Sequence, residues 1–417
     1  MIMRKIGALA LSLMFLTLVI KTSYADAAEN PAEPELSARS AVLFCPDNGE
    51  VIFQKSAHDR MKIASTTKIM TTLLTLEEAE KDDKVLEFTL DMAAEGSSMY
   101  LQEDNKLRLS DLAVGMMLSS GNDGANAAAV TIGGSSEKFA EIMNKRAEEI
   151  GMNDTHFVTP SGLDDENHYS TAYDMALLMG EAMKNPDFAE IAKMKNGSVE
   201  LIYPQGKILS YTNHNKLLSL YEYCIGGKTG FTKAAGRCLV TAAEKDGVTL
   251  IAVTLNAPSD WDDHINLYNY GFSLLESVEI SKESLSVEVP VAGTGEKIKL
   301  VPDKNLTFVR KIGGQDFDIK ENVRYYIPKF IYQPVIWDEP YGKAVVYLGN
   351  NKLESFLLFL EEKKLKTLIC EQNLIPKGSP SIWSEVWRTE SFKKEEMNDY
   401  QITEDDGGLR CGFQKKV

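Results

Sequence analysis

Residues Ala64-Ser65-Thr66-Thr67-Lys68 open a stretch in which Ile69, Met70, Leu73, Leu74 and Leu76 recur at helical spacing, so a helix is predicted over Thr66–Ala79. Ser65 and Lys68 are three apart, which puts both on one helical face. A neutral lysine amine held there can take the serine hydroxyl proton and leave a nucleophile. The pattern alone says little, because Ser135–Lys138 and Ser391–Lys394 match it too. Two further stretches decide the matter. Ser119-Ser120-Gly121-Asn122 lies between two helical patterns, and Ser120 is the only serine followed two residues later by asparagine. As an isolated match it would read as a helix cap. Gly226-Gly227-Lys228-Thr229-Gly230-Phe231 falls on a predicted strand, where glycines let a ligand or another backbone approach closely. Lys228 there offers a cation, and Thr229 a hydroxyl, toward a carboxylate. A phosphate-binding loop fails, because Glu222 stands where a glycine is needed and a strand follows where a helix is required.

Working outward, Ala41–Phe44 and Val51–Gln54 flank Asp47-Asn48-Gly49 and read as a hairpin. Helices are predicted beginning after a Ser110 cap, over Ala125–Ile132, over Lys138–Ile150 with Gly151 as its terminator, and over Thr171–Lys184. The period then changes to strands at Val199–Tyr203, Gly227–Thr232, Arg237–Glu244 and Thr249–Asn256, before a last helix over His264–Val278. Strands at both ends of a helical middle indicate an α+β unit in which the chain returns to one sheet. From Glu279 onward short strands recur, at Leu285–Val291, Lys297–Pro302, Leu306–Val309, Val323–Ile327, Lys343–Leu348 and Phe356–Leu360, as in a separate all-β module.

The 417 residues suit two or three domains. With 44% hydrophobic and 25% charged residues, wholesale disorder is excluded, as is a polytopic membrane protein. A net charge of −16 makes nucleic acid a poor partner, because phosphate backbones need a basic face. Met1 to Lys5 carries Arg4 and Lys5; an apolar run from Ile6 to Ile20 follows, then Ser23-Tyr24-Ala25. This reads as a secretory signal peptide over 1–25, the run being short for an uncleaved anchor helix. Five cysteines (45, 224, 238, 370 and 411) are an odd number without close pairing, so at least one is unpaired in a monomer. Cys224 and Cys238 could approach across a hairpin or stay as buried thiols. The five histidines are scattered, and neither a metal site nor any cofactor is expected.

Taken together and in this order, the three motifs resemble those of the penicillin-binding protein and β-lactamase superfamily, with Ser-Gly-Asn as the middle one. More narrowly, the chain resembles secreted D-alanyl-D-alanine carboxypeptidases. Ala64–Thr72 (ASTTKIMTT), Ser120–Ala128 (SGNDGANAA) and Gly227–Thr232 (GKTGFT) carry the likeness. So do Thr155–Phe157, Pro160–Leu163 and His168–Asp174. The resemblance implies a β-lactamase/transpeptidase-like α+β domain (26–278), a small β-sandwich-like domain (279–366) and a tail (367–417). It also implies Ser65 as nucleophile, Lys68 as general base and Ser120 as proton relay. Asn122, Lys228, Thr229, Gly230 and Phe231 would bind substrate, with the amides of Ser65 and Phe231 as an oxyanion hole. The expected partners are wall peptides ending in D-Ala-D-Ala, and β-lactams as covalent inhibitors. Relatives usually end in an amphipathic membrane-surface helix; here the stripe Ile382, Trp383, Val386 and Trp387 is the candidate for such contact. A class A β-lactamase would need a deacylating glutamate. Glu149 and Glu181 approximate its motif but fall at predicted helix ends, and no motif is damaged as in a dead binding module.

Overall fold

Strand Ser40–Cys45 is buried at all six positions. Val42 and Phe44 face one apolar core, shared with Ile69, Met70 and Leu73; Leu43 and Cys45 face another, shared with Leu250, Leu267 and Tyr268. A strand covered on both faces loses the apolar–polar alternation and reads as a continuous apolar run. The computed structural model describes residues 31–314, 316–332 and 339–361, with two short strands, Tyr400–Ile402 and Phe413–Lys415. The expected leader, Cys370, Cys411, Ser391–Lys394 and the stripe Ile382–Trp387 lie outside the described residues.

Ser40–Cys45 sits inside an antiparallel sheet whose order is Glu50–Lys55, Ser40–Cys45, Val248–Leu255, Gly236–Lys245, Cys224–Thr232. Helices between residues 68 and 193 cover one face and helix Asp260–Leu274 covers the other. This is the expected α+β return to a single sheet. The edge strand Cys224–Thr232 runs past the 3-10 turn Ala64–Thr67, which feeds helix Lys68–Lys81. Apposition of that edge and that turn positions the site.

Several local expectations shift. Ser110 does not cap its helix: Leu109–Leu118 starts two residues earlier than such a cap would place it, Asp111 accepts from the Arg108 amide at 3.1 Å, and Ser110 instead bonds Asp83. The next helix starts at Asn122 rather than Ala125, which places Asn122 in its first turn. Helix Ser136–Ile150 does end at Gly151 in the left-handed conformation (φ 90°), and Ser135 caps it by accepting from the Lys138 amide. That Ser–Lys pair is therefore a helix start and nothing more. Helix Pro186–Lys193, which the periodicity did not single out, carries a legible signal: Asn185 accepts from the Phe188 amide and Pro186 occupies the first turn. The strand expected at Val199–Tyr203 lies at Asn196–Glu200 and pairs with Ile208–Thr212. The last helix ends at Leu274, because Leu275–Ile280 pairs in full register with Leu306–Lys311, and that pairing overrides its helical pattern. Cys45, Cys224 and Cys238 are all free thiols.

The β module matches the strand pattern closely. A five-stranded sheet and the Leu275–Ile280/Leu306–Lys311 pair share one core containing Val289, Leu300, Phe308, Val346 and Leu358. Among the described residues, no helix is long and apolar enough to cross a membrane.

Candidate active site

Ser65 follows Ala64, whose backbone lies in the left-handed region (φ 48°). Such a conformation strains a non-glycine residue and persists only where the surroundings hold it. Thr66 and Thr67 hold it here: their hydroxyls donate to Ile63 O at 2.6 Å and Ala64 O at 2.8 Å. The turn then becomes helix at Lys68, whose side chain is fully buried. Lys68 Nζ lies 3.0 Å from Ser65 Oγ, 2.6 Å from Asn122 Oδ1 and 2.7 Å from the main-chain oxygen of Ser161. It makes no ion pair among the described residues. Burial first, then the nearby Lys228 charge, holds its pKa well below that of an ordinary lysine, against the pull of Asp123.

Ser120 is a second non-glycine residue in the left-handed region (φ 61°). It is not the helix cap, a place taken by Gly121. Its hydroxyl accepts from Lys228 Nζ at 2.9 Å. Met99 holds this loop from below. It is fully buried in a slot formed by Gly115, Gly121 and Gly124, where any added Cβ would collide with its side chain. Asp123 completes the clamp by accepting from the Met99 amide at 2.8 Å and the Ser98 hydroxyl at 2.6 Å. Asn122 is engaged at both ends: Oδ1 takes Lys68, and Nδ2 donates to Glu95 O at 2.6 Å. The resemblance implies a substrate contact for Asn122, and its Oδ1 is here bonded to the Lys68 amine.

Lys228 projects from the edge strand and is 1% exposed. Burial alone pushes its pKa down to about 7. Beyond Ser120 it donates to Thr229 O at 2.9 Å. Gly230 stands so close to the Ala64–Thr67 turn that an added Cβ would lie 3.0 Å from the Ser65 amide nitrogen. Phe231 follows and is 66% exposed. Ser65, Lys68 and Asn122 thus form one hydrogen-bonded group, and Ser120 and Lys228 form another. Among the described residues no cluster of carboxylates, histidines and thiols could hold a metal.

The chain belongs to the D-alanyl-D-alanine carboxypeptidase family. The family model described by that name matches residues 27–259. The chain is 31% identical over 333 residues to the D-alanyl-D-alanine carboxypeptidase DacF of Bacillus subtilis, covering 77% of this chain and 85% of that one. Among solved structures it is similar to the Streptomyces K15 DD-transpeptidase (TM-score 0.55, 31% identity, 58% of this chain and all of that one). The D-alanyl-D-alanine carboxypeptidase DacD of Francisella tularensis aligns over 82% of this chain and 97% of its own (TM-score 0.58, 26% identity). Membership makes the chain a serine hydrolase of the penicillin-binding class.

Two features of this carboxypeptidase were not legible as site residues. The Ser161 carbonyl is a backbone group, which no residue type announces. Asp123 acts through the loop it closes and through its charge on the Lys68 amine. The glutamates weighed as lactamase candidates are occupied elsewhere: Arg146 lies 2.9 Å from Glu181 and 3.6 Å from Glu149, and Lys184 also holds Glu181.

Proposed function

We propose that Ser65 attacks the carbonyl between the last two residues of a peptide ending in D-Ala-D-Ala, with Lys68 as general base. The acceptors around Lys68 carry this reading. A neutral amine has two hydrogens and one lone pair. Asn122 Oδ1 and Ser161 O account for the hydrogens, which leaves the lone pair facing the Ser65 hydroxyl at 3.0 Å. The Ser65 proton passes to Lys68 as the Oγ–C bond forms. Ser120, bonded to Lys228, relays a proton to the departing D-Ala nitrogen as the C–N bond breaks. The amides of Ser65 and Phe231 receive the oxyanion; losing one such donor costs about 2.7–4 kcal/mol of transition-state stabilisation. Water then cleaves the acyl ester. β-Lactams acylate the same oxygen.

Lys228 and Thr229 bind the free terminal carboxylate. An internal peptide bond has no such group and would leave a buried lysine unmatched, so the enzyme is an exopeptidase. The carboxylate would also raise the Lys228 pKa, strengthening the cation that holds it. The enzyme acts outside the cytoplasm after removal of the leader 1–25. The catalytic domain runs from residue 26 through helix Asp260–Leu274, and the β domain begins with strand Leu275–Ile280, earlier than the expected 279. The tail 367–417 supplies a weak membrane contact through Ile382, Trp383, Val386 and Trp387. D-Ala release from a pentapeptide ending in D-Ala-D-Ala tests the activity: wild type should release it and Ser65→Ala should not. Equal release by both proteins would overturn the assignment. A penicilloyl adduct that turns over in well under a second would favour a β-lactamase.

A further inference from the structure

We propose that His168 is a positioning residue, which locks the loop carrying the Ser161 carbonyl to the turn carrying Ser65. Its ring is 3% exposed, yet its polar atoms are matched. Nδ1 accepts from two consecutive backbone amides, Val158 at 3.1 Å and Thr159 at 3.2 Å. That nitrogen must therefore be unprotonated, so the neutral ring carries its hydrogen on Nε2. Nε2 lies 2.8 Å from Thr67 Oγ1 and donates to it, and Thr67 in turn donates to Ala64 O. One continuous chain of hydrogen bonds thus runs from the amides just before Ser161 to the strained residue just before Ser65.

Two neighbouring contacts make the register of this junction matter. Thr71 donates to Pro160 O at 2.6 Å and Lys68 donates to Ser161 O at 2.7 Å, so the loop meets the nucleophile helix at successive carbonyls. Gly162, with φ 81°, lies against Ala64 O so closely that a Cβ would overlap it. A side chain that keeps the loop from sliding therefore fixes where Lys68 points its lone pair. The ring edge also packs on Phe157, which sets its tilt. His168 touches neither Ser65 nor Lys68, so its influence runs entirely through Thr67 and the loop backbone.

This inference rests on the roles proposed above for Ser65 and Lys68. The test is the second-order rate of Ser65 acylation by a fluorescent penicillin, measured with wild type, Thr67→Val, Thr67→Ser, His168→Leu and the double variant Thr67→Val/His168→Leu. Thermal melting of each variant is recorded alongside. Thr67→Val keeps the shape and loses the hydroxyl; it should slow acylation by roughly tenfold or more, while Thr67→Ser should recover most of the rate. His168→Leu should slow it similarly, and the double variant should be no slower than the worse single one, because both break one chain. Thr67→Val acylating at the wild-type rate, Thr67→Ser failing to recover it, or effects that multiply in the double variant would each overturn the proposal. Wild type that fails to label at Ser65 would instead overturn the underlying assignment, and this proposal with it.

Discussion

The main-chain oxygen of Ser161 accepts from Lys68 Nζ at 2.7 Å, so the general base of the proposed reaction is aimed by a carbonyl 93 residues further along the chain. With Asn122 Oδ1 on the same nitrogen, this contact decides which way the amine can face.

Lys68→Arg should abolish acylation although it preserves a cation. Arginine is not deprotonated in proteins, so it cannot accept the Ser65 proton. The rate of labelling by a fluorescent penicillin should fall by about 10²–10⁴-fold, the span of general-base contributions. Retention of even a tenth of the wild-type rate would mean that Lys68 is not the base.

The pH profile follows from two buried amines. On the acid side, kcat/KM should fall as Lys68 gains a proton, at a pH well below that of an ordinary lysine. On the alkaline side, kcat/KM should fall above about pH 7 as Lys228 loses the proton that matches the substrate carboxylate. Bound carboxylate raises the Lys228 pKa, so kcat should hold to higher pH than kcat/KM. Coinciding alkaline limbs in the two profiles would contradict this role for Lys228.

Gly162→Ala should damage both fold and rate. The residue has φ 81°, and its added methyl would collide with Ala64 O and lie 2.7 Å from Thr67 Oγ1. Strain of this kind costs on the order of 1–3 kcal/mol, read as a lower melting temperature. Because relief requires the loop to retreat from the turn, the acylation rate should drop as well. Unchanged melting and unchanged labelling would show that the junction is loose.

Acid should destabilise the fold through its buried histidines. Burial lowers His168 from 6.5 to about 4 and His264 to about 3. Between those values and 6.5 the folded state binds fewer protons than the unfolded chain, so stability rises with pH there and falls as acid is added. For His168 the full loss is on the order of 3 kcal/mol. The urea midpoint should decline from pH 6.5 toward pH 4, and His168→Gln should flatten that decline. An identical slope in wild type and His168→Gln would contradict the assignment of His168 as buried and neutral.

Side-chain identity made most of the site legible. Ser65 and Lys68 share a turn, Ser120 and Asn122 stand two apart at a helix start, and Lys228 and Thr229 share a strand; each pair alone says little, and the resemblance of all three in order is what singles them out. What spacing could not supply is backbone chemistry and tertiary pairing. The Ser161 carbonyl carries no sequence signature. The Asn122 carboxamide turns to Lys68 and Glu95 O because the Met99–glycine slot and Asp123 fix its loop, and those residues look like ordinary core and turn positions. Elsewhere the misplacements come from competition between local pattern and long-range partners. Leu275–Ile280 continues a helical pattern but gains a full register of strand bonds with Leu306–Lys311. Ser110 has a capping side chain, yet Asp83 holds it and Asp111 supplies the cap.

The most direct test of the central claim is to locate the adduct. The protein is treated with a penicillin, digested with trypsin and its peptides weighed. The account predicts a single added mass on the Ile63–Lys68 peptide, at Ser65, and none in Ser65→Ala. An adduct on any other peptide, or one that persists in Ser65→Ala, would contradict it.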